Sequence, residues 1–117
     1  MKQMFEGANA FDMSGNWGLT NETLRGWVKR WCDGDREGLP PISRWNTSQV
    51  TDMSWMFSGA IAFNGDLGDW DVSRVKYMEG MFYGAAAFNV DLDAWDVSTV
   101  KTMMSMFSYA TTFNGDL

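Results

Sequence analysis

Carboxylates at regular intervals in the second half of the chain are the first residues that could do chemistry. Four of them and one amide occupy neighbouring positions of a 25-residue pattern: Asp69, Asp71, Asp93, Asp96 and Asn46. Stacked carboxylates repel one another and therefore favour a basic partner or a cation. Calcium is one alternative, but no D-x-D-x-D-G loop is present and we predict no metal site. The plainest alternative is that these acids only keep the surface soluble.

The other reactive residue types argue against catalysis. The chain has no His and a single Cys, Cys32, which removes the commonest general base and excludes an internal disulfide or a Cys-rich zinc site. An enzyme would have to work with Asp and Glu pairs alone, and regularly spaced Asp is better explained by repetition. We therefore predict a protein that is not an enzyme and that uses no cofactor.

Aromatic residues are the second set of candidates. One tryptophan and all three tyrosines stand at positions whose residue type changes between copies of the pattern: Trp55, Tyr77, Tyr83 and Tyr109. Aromatic side chains at variable, exposed positions are typical of protein interfaces. The alternative for each one taken singly is that it fills an edge of the fold. Together with the carboxylates, these aromatics are the predicted binding residues.

An internal repeat must position both sets. Tryptophans recur at 45, 70 and 95, and 11 of the 23 positions that begin at each tryptophan are identical in all three copies. A period of 25 residues falls within the range of about 20 to 29 that leucine-rich repeats use. The aromatic content of 15% and most of the ten methionines follow from this repetition.

Two spacings within each copy predict its elements. The pattern L-x-x-W-x-V that begins at Leu67 alternates as a half-buried strand does. The pattern M-x-x-M-F-x-x-A that begins at Met78 is the stripe of a helix of about 10 residues. The expected fold class is therefore an α/β solenoid of leucine-rich-repeat type, in which short parallel strands alternate with short helices behind an N-terminal helical cap.

The chain divides into three segments. Residues 1–19 contain a half-repeat and a degenerate strand, and residues 20–41 contain the capping helix and a loop. Residues 42–117 are three tandem 25-residue repeats. Because the last copy closes at Leu117, where another strand would start, we expect a fragment of a longer array.

One helix is predicted ahead of the repeats, from about residue 21 to residue 32. Thr20 or Asn21 is its expected N-cap, and Asp33 and Gly34 are expected to end it. Repeat arrays need an end unit that covers the outermost layer. We therefore expect this helix to cap the array.

Each copy ends in an invariant Asn-x-Asp bend, which begins at Asn64 in the first copy and recurs at residues 89–91 and 114–116. Asn and Asp side chains at bends accept hydrogen bonds from nearby backbone amides. We interpret these residues as turn residues, with ligand binding as the alternative.

Charge and hydropathy limit the partners. Residues 1–44 carry six bases and six acids, whereas residues 45–117 carry three and nine, so the net charge of −6 belongs to the repeats. An acidic surface repels nucleic acid. The longest charge-free run, residues 102–115, is too short to span a bilayer, and residues 1–7 do not form a secretory signal. The protein is expected to stay inside the cell or to have lost its signal, and to bind a protein or other macromolecule of basic character.

The repeat resembles that of a known family. The motif W-D-V-S-x-V-x-x-M-x-x-M-F-x-x-A-x-x-F-N-x-D-L begins at Trp70 and again at Trp95, and it is similar to the repeat of BspA-like leucine-rich-repeat surface proteins, which also occurs in bacterial lipoproteins and in protist and microalgal proteins. The resemblance covers about Leu24 to Leu117. It implies an extracellular or cell-surface module for protein binding and adhesion, without enzyme activity. The alternative is a structural protein that forms homo-oligomers head-to-tail through its open repeat ends, giving filaments.

Overall fold

One α-helix, Asn21–Cys32 (α1), precedes the repeats in the computed structural model, which describes residues 18–114. The sequence predicts this helix, and its N-cap is Thr20. The Thr20 hydroxyl accepts a hydrogen bond from the Thr23 amide at 3.0 Å, and Thr23 Oγ1 accepts one from the Thr20 amide at 2.7 Å. These two bonds satisfy amides that a helix start otherwise leaves unpaired. Of residues 1–19, predicted as a half-repeat and a degenerate strand, the first 17 lie outside the described range.

The predicted fold class, an α/β solenoid of leucine-rich-repeat type, is wrong. Residues 18–114 contain α1, a 3-10 helix at Ile42–Arg44 and no strand. Two isolated parallel bridges, Asp52 with Tyr77 and Tyr77 with Thr102, are the β-type pairs in this range. The short helices predicted within the repeats are absent as well, because the residues of the helical stripe form consecutive turns.

Tight turns replace the predicted strands. The Trp70 amide donates to the Leu67 carbonyl at 3.1 Å, and the Val75 amide donates to the Val72 carbonyl at 3.0 Å. Each bond closes a turn of four residues and bends the chain where a strand would remain extended. The apolar side chains at these positions are buried nonetheless, so the pattern identified the core but not the backbone conformation.

The segments predicted as helical differ from a helix in the carbonyl groups to which their amides donate. The Met56 amide donates to the Met53 carbonyl of its own turn at 3.3 Å, whereas the Trp55 amide donates to the Glu79 carbonyl of the next repeat at 2.9 Å. This alternation continues along the segment and recurs in the second repeat. Every second amide therefore bonds along the stack of repeats, and the i to i−4 bonds of an α-helix cannot form.

Phenylalanine rings stack in register through the core. They form two columns, one of Phe57, Phe82 and Phe107 and one of Phe63, Phe88 and Phe113. Neighbouring ring centroids are 5.5 Å apart in the first column and 5.9 Å apart in the second, and the rings are nearly parallel. Each repeat thus presents a flat aromatic layer to the next repeat.

Tryptophan indoles add hydrogen bonds to this packing. Trp70 Nε1 donates to the Ile42 carbonyl at 2.7 Å, and Trp95 Nε1 donates to the Leu67 carbonyl at 2.8 Å. Both indoles are buried. The repeated tryptophan therefore fills the core and satisfies a backbone carbonyl of the preceding repeat.

α1 covers the first repeat. The rings of Trp27 and Trp31 meet the Trp45 ring edge-on, at centroid distances of 5.2 and 5.6 Å. Asn21 Oδ1 accepts a hydrogen bond from the Thr51 amide at 2.9 Å. In the later repeats the equivalent amides, those of Lys76 and Lys101, donate instead to a backbone carbonyl of the preceding repeat. α1 thus occupies the place that a preceding repeat would take.

The Asn-x-Asp bends use their two side chains differently. Asp66 Oδ1 accepts from the Gly68 amide at 3.2 Å, and the equivalent bond is present in the second repeat, which confirms the predicted turn role of the aspartates. Asn64 Oδ1 instead accepts from the Asn89 amide of the next repeat, and Asn89 Oδ1 accepts from the Asn114 amide, both at 2.8 Å. The asparagines therefore link repeats instead of closing their own turns. The third aspartate of the series lies outside the described residues.

Candidate functional site

Two of the four predicted aspartates hold turns. Asp71 Oδ1 accepts from the Ser73 hydroxyl at 2.6 Å and from its amide at 3.0 Å, and Asp96 Oδ1 accepts from the Ser98 amide at 3.1 Å. Hydrogen bonds from these serines hold the pKa of both carboxyls below the ordinary value for Asp. Asn46 closes the equivalent turn of the first repeat. This position therefore has a local structural role in every repeat.

The acidic positions form an exposed charged surface. All four predicted aspartates are exposed: Asp69, Asp71, Asp93 and Asp96. The negative charge of Asp96 raises the pKa of Asp71 and so partly offsets the lowering by the serine hydrogen bonds. Within residues 18–114, no group of three His, Cys, Asp or Glu side chains is placed to hold a metal ion. These aspartates therefore give the surface a negative potential, but in the described residues they are not arranged to coordinate a metal ion.

Three of the four predicted aromatic residues, Trp55, Tyr83 and Tyr109, form one continuous row, which we call the aromatic ridge. Trp55 and Tyr83 have ring centroids 5.7 Å apart, and Tyr83 and Tyr109 meet edge-to-face at 5.3 Å. The three residues come from three successive repeats, so the ridge crosses the stack. Trp55 is 49% exposed and Tyr109 72%. Tyr77 is also exposed, but among the described residues it makes no ring contact with the ridge.

Two ridge residues have a backbone conformation that favours glycine. The φ angle is 59° at Trp55 and 61° at Tyr109. The residues equivalent to Trp55 in the other repeats are Gly80 and Ser105, with φ angles of 60° and 59°. One residue equivalent to Tyr109 is Gly84, with a φ angle of 72°. A left-handed backbone costs a residue with a side chain about 1–2 kcal/mol. Large aromatics at such positions are outliers, and outliers of this kind concentrate at functional sites.

Gly80 packs against the Trp55 ring of the aromatic ridge. The Trp55 ring lies so close over Gly80 that a Cβ at this position would overlap the indole. The preceding residue, Glu79, has a buried carboxyl oxygen, Oε1, without a hydrogen-bond partner. Neither residue was among the sequence candidates. The sequence signal for Gly80 was its position: it lies 25 residues after Trp55, so a glycine follows the tryptophan at the same place in the next repeat.

A groove separates α1 from the first repeat. It consists of two adjoining cavities of about 350 and 290 Å³, lined by one side of α1 from Arg25 onward, by Asp33 and Arg36 after it, and by residues 56–63. Cys32 lies at this groove, and burial raises the pKa of its thiol. A thiol with a raised pKa is a poor nucleophile. At the rim, the Arg36 guanidinium lies 4.0 Å from the centre of the Trp31 ring. Cys32 is therefore not an activated nucleophile at this groove.

Comparison with known proteins assigns a family. None of the helices in residues 18–114 has the length and apolarity needed to cross a membrane. No curated protein and no solved structure matches the chain. The model of one family, described as "Mycoplasma protein of unknown function, DUF285", matches residues 29–117. The match includes the acidic surface and the aromatic ridge as well as all three repeats. The chain therefore belongs to this family of Mycoplasma proteins of unknown function, DUF285.

Proposed function

We propose that this chain is a non-catalytic binding module of a cell-surface or secreted protein, and that it contacts a macromolecular partner through the aromatic ridge. One observation carries the proposal: Trp55 and Tyr109 keep large aromatic side chains at left-handed positions where the equivalent residues are small, namely Gly80 and Ser105 for Trp55 and Gly59 and Gly84 for Tyr109. Glycine would adopt this backbone without strain. The other repeats complete these turns with glycine or serine, so the turns themselves do not require a large aromatic residue.

The ridge has the properties of an interface anchor. Aromatic side chains offer large contact areas and lose little conformational entropy on binding, because they have two side-chain torsions. A tilted contact with Trp55 and an edge-to-face contact with Tyr109 hold Tyr83 between its two neighbours, which reduces the ordering that a partner would have to impose. Trp and Tyr are also the residue types that most often dominate binding energy.

The acidic surface would act at longer range. Because the whole net charge of −6 lies in residues 45–117, the repeats attract basic partners and accelerate encounter. Asp71 and Asp96 remain fully charged at neutral pH, since their pKa values are lowered. The exposed aspartates therefore favour a basic partner without forming the anchor themselves.

The experiment compares retention of three proteins on immobilised lysozyme, which is basic, serum albumin, which is acidic, and a neutral polysaccharide. The first is the unaltered chain. The second, the ridge variant, carries Tyr83→Ser and Tyr109→Gly, which are residue types found at the equivalent positions of other repeats. The third, the charge variant, has Asp69, Asp71, Asp93 and Asp96 replaced by Asn.

The unaltered chain is expected to bind the basic surface, and the ridge variant to bind it at least about tenfold more weakly, because two anchor aromatics are lost. The charge variant should associate more slowly and depend less on salt. Equal retention of the ridge variant and the unaltered chain would contradict the proposal, and so would an unaltered chain that none of the three surfaces retains.

A further inference from the structure

The groove between α1 and the first repeat lies where a preceding repeat would pack, and α1 replaces only part of such a repeat. Asn21 accepts a hydrogen bond from the Thr51 amide at 2.9 Å. Arg25 donates to the Ser54 carbonyl at 2.9 Å. Beyond Ser54, residues 56–63 line the groove. The front of the first repeat is therefore covered in its first half and open in its second half.

Backbone carbonyls in the open half lack the donors that their equivalents have. In the second repeat, the carbonyls of Met81 and Tyr83 accept from amides of the first repeat at 2.8 and 2.7 Å. The equivalent carbonyls of the first repeat belong to Met56 and Ser58, and neither accepts a hydrogen bond within residues 18–114. Two acceptors at the groove are thus available to a segment that packs there.

Two amides in the open half lack acceptors in the same way. In the second repeat, the Ala87 amide donates to the Ile61 carbonyl at 3.1 Å. The Asn89 amide donates to Asn64 Oδ1 at 2.8 Å. The equivalent amides of the first repeat, those of Ala62 and Asn64, donate to no group in the described part of the chain. A segment that packs in the groove could therefore both donate and accept.

The exposure of the two repeats differs in the same half. In the second repeat, which has a repeat on either side, Ala85 is completely buried and none of residues 83–87 is exposed. In the first repeat, the equivalent residues 58–62 are exposed except for Ala60, which is half-buried. Ile61 is 69% exposed. The groove therefore offers apolar surface as well as backbone hydrogen bonds, which is what a further layer of the same kind would use.

The N-terminal segment of the chain has the sequence of such a layer. Residues 4–11, M-F-E-G-A-N-A-F, are identical at six of eight positions to residues 56–63 and at six of eight to residues 81–88. Asp12 follows at the position where the repeats have the asparagine whose Oδ1 accepts from the next repeat. The segment is thus the second half of a repeat, which is the half that α1 leaves open.

The connection to the described chain is long enough for the segment to reach the groove. The Leu19 amide donates to the Asn46 carbonyl at 3.0 Å, which places this end of the described chain beside the first repeat. Gly18 follows Phe11 by seven positions, and a chain of that length spans at most about 25 Å. Residues 63–70 connect one repeat to the tryptophan of the next with the same separation.

We infer that the groove is the docking site of residues 4–12, which pack on the first repeat as a half-layer beside α1. In the register of the repeats, the amides of Phe5 and Gly7 donate to the two available carbonyls. The Asn9 carbonyl and the Asp12 carboxylate accept from the two available amides. The docked segment would also close the end of the stack that head-to-tail assembly requires.

The test is amide hydrogen exchange of the full chain, followed residue by residue by NMR. Docking forms four hydrogen bonds and covers them, so exchange should be at least about tenfold slower than in an unstructured peptide at the four amides involved. These amides are those of Phe5, Gly7, Ala62 and Asn64. Because the unaltered chain is measured, this result does not depend on whether any variant folds.

Two variants show whether the segment is responsible. Phe5→Ser combined with Phe11→Ser removes both aromatic residues of the segment and should reduce protection of the Ala62 and Asn64 amides at least about tenfold. The matched control is Glu6→Ser, which introduces the residue that two of the three repeats have at this position. It should change the same protection less than about twofold.

Three results would overturn the inference. The first is exchange of the Ala62 and Asn64 amides in the unaltered chain at the rate of an unstructured peptide. The second is equal protection of these amides in the double variant and in Glu6→Ser. The third is protection that rises with protein concentration, which would identify a second copy of the chain as the occupant of the groove.

Discussion

Replacement of Gly80 by alanine tests the contact that holds the ridge in place. Gly80 has φ of 60°, and an added Cβ would overlap the Trp55 ring. Gly84 is a matched control, because its φ is 72° and the nearest atoms to an added Cβ, in Gly59, are 3.8 Å away. Both alanines suffer the same left-handed backbone, but only the alanine at Gly80 must displace the indole.

The difference between the two variants can be estimated from the exposure of Trp55. Gly84→Ala should cost about 1 kcal/mol in free energy of unfolding, which is the backbone effect alone. Trp55 is 49% exposed, so about half of a tryptophan surface of about 250 Å² is covered. Exposure of that half would cost at most about 3 kcal/mol at about 25 cal/mol per Å². Gly80→Ala should therefore cost about 2–4 kcal/mol.

The assay is urea unfolding of both single variants, of Trp55→Gly, and of the double variant Trp55→Gly with Gly80→Ala. Without the indole, the alanine has nothing to displace, and its cost should fall to the backbone value of about 1 kcal/mol. The coupling energy between Trp55 and Gly80 is then about 1–3 kcal/mol. Equal losses in Gly80→Ala and Gly84→Ala, with a coupling below about 0.5 kcal/mol, would refute the packing of Trp55 on Gly80.

Three further predictions concern the stack of repeats and α1. Trp70→Phe removes the indole N–H that donates to the buried Ile42 carbonyl and should lower the free energy of unfolding in urea by about 2–3 kcal/mol. Asp71→Asn gives the second repeat the residue that Asn46 provides in the first, so stability near neutral pH should change by less than about 0.5 kcal/mol. The pKa of Asp71 is lowered in the folded chain, so its stabilisation is present above the unfolded pKa and is lost as pH falls through the folded value. Urea titrations below about pH 4 should therefore show a shallower loss of stability for Asp71→Asn than for the unaltered chain. Thr20→Ala removes the N-cap of α1 and should lower stability by about 1 kcal/mol in the same urea titrations.

The repeat period and α1 could be predicted because each depends on local signals. Identical residues at a spacing of 25 define the repeats, and a capping threonine followed by an apolar stripe defines α1. The conformation within the repeats could not be predicted in the same way, because a spacing of three residues, as between Met78 and Met81, fits both a helix and a β-turn. Gly80 and Gly84, within the predicted helix, were the residues that favoured turns, since glycine destabilises a helix by about 1 kcal/mol.

The residue types of the candidate site could be predicted more readily than its geometry. Variation between copies identified Trp55, Tyr83 and Tyr109, but their contacts run between repeats and depend on how the turns place each side chain. Glu79 was missed because an unpaired oxygen is a property of packing, not of sequence. Tyr77 satisfied the same sequence criterion and lies apart from the ridge, so variability alone does not predict which of these aromatics contact one another.

The most direct test of the binding role is the retention of the ridge variant on lysozyme, relative to that of the unaltered chain. Tyr83→Ser and Tyr109→Gly introduce residues that equivalent repeats already contain, so the fold should persist while the aromatic surface is removed. We predict a loss of retention of at least about tenfold with a cooperative unfolding transition preserved. Retention equal to that of the unaltered chain, in a variant that unfolds normally, would contradict the claim that the ridge is the binding surface.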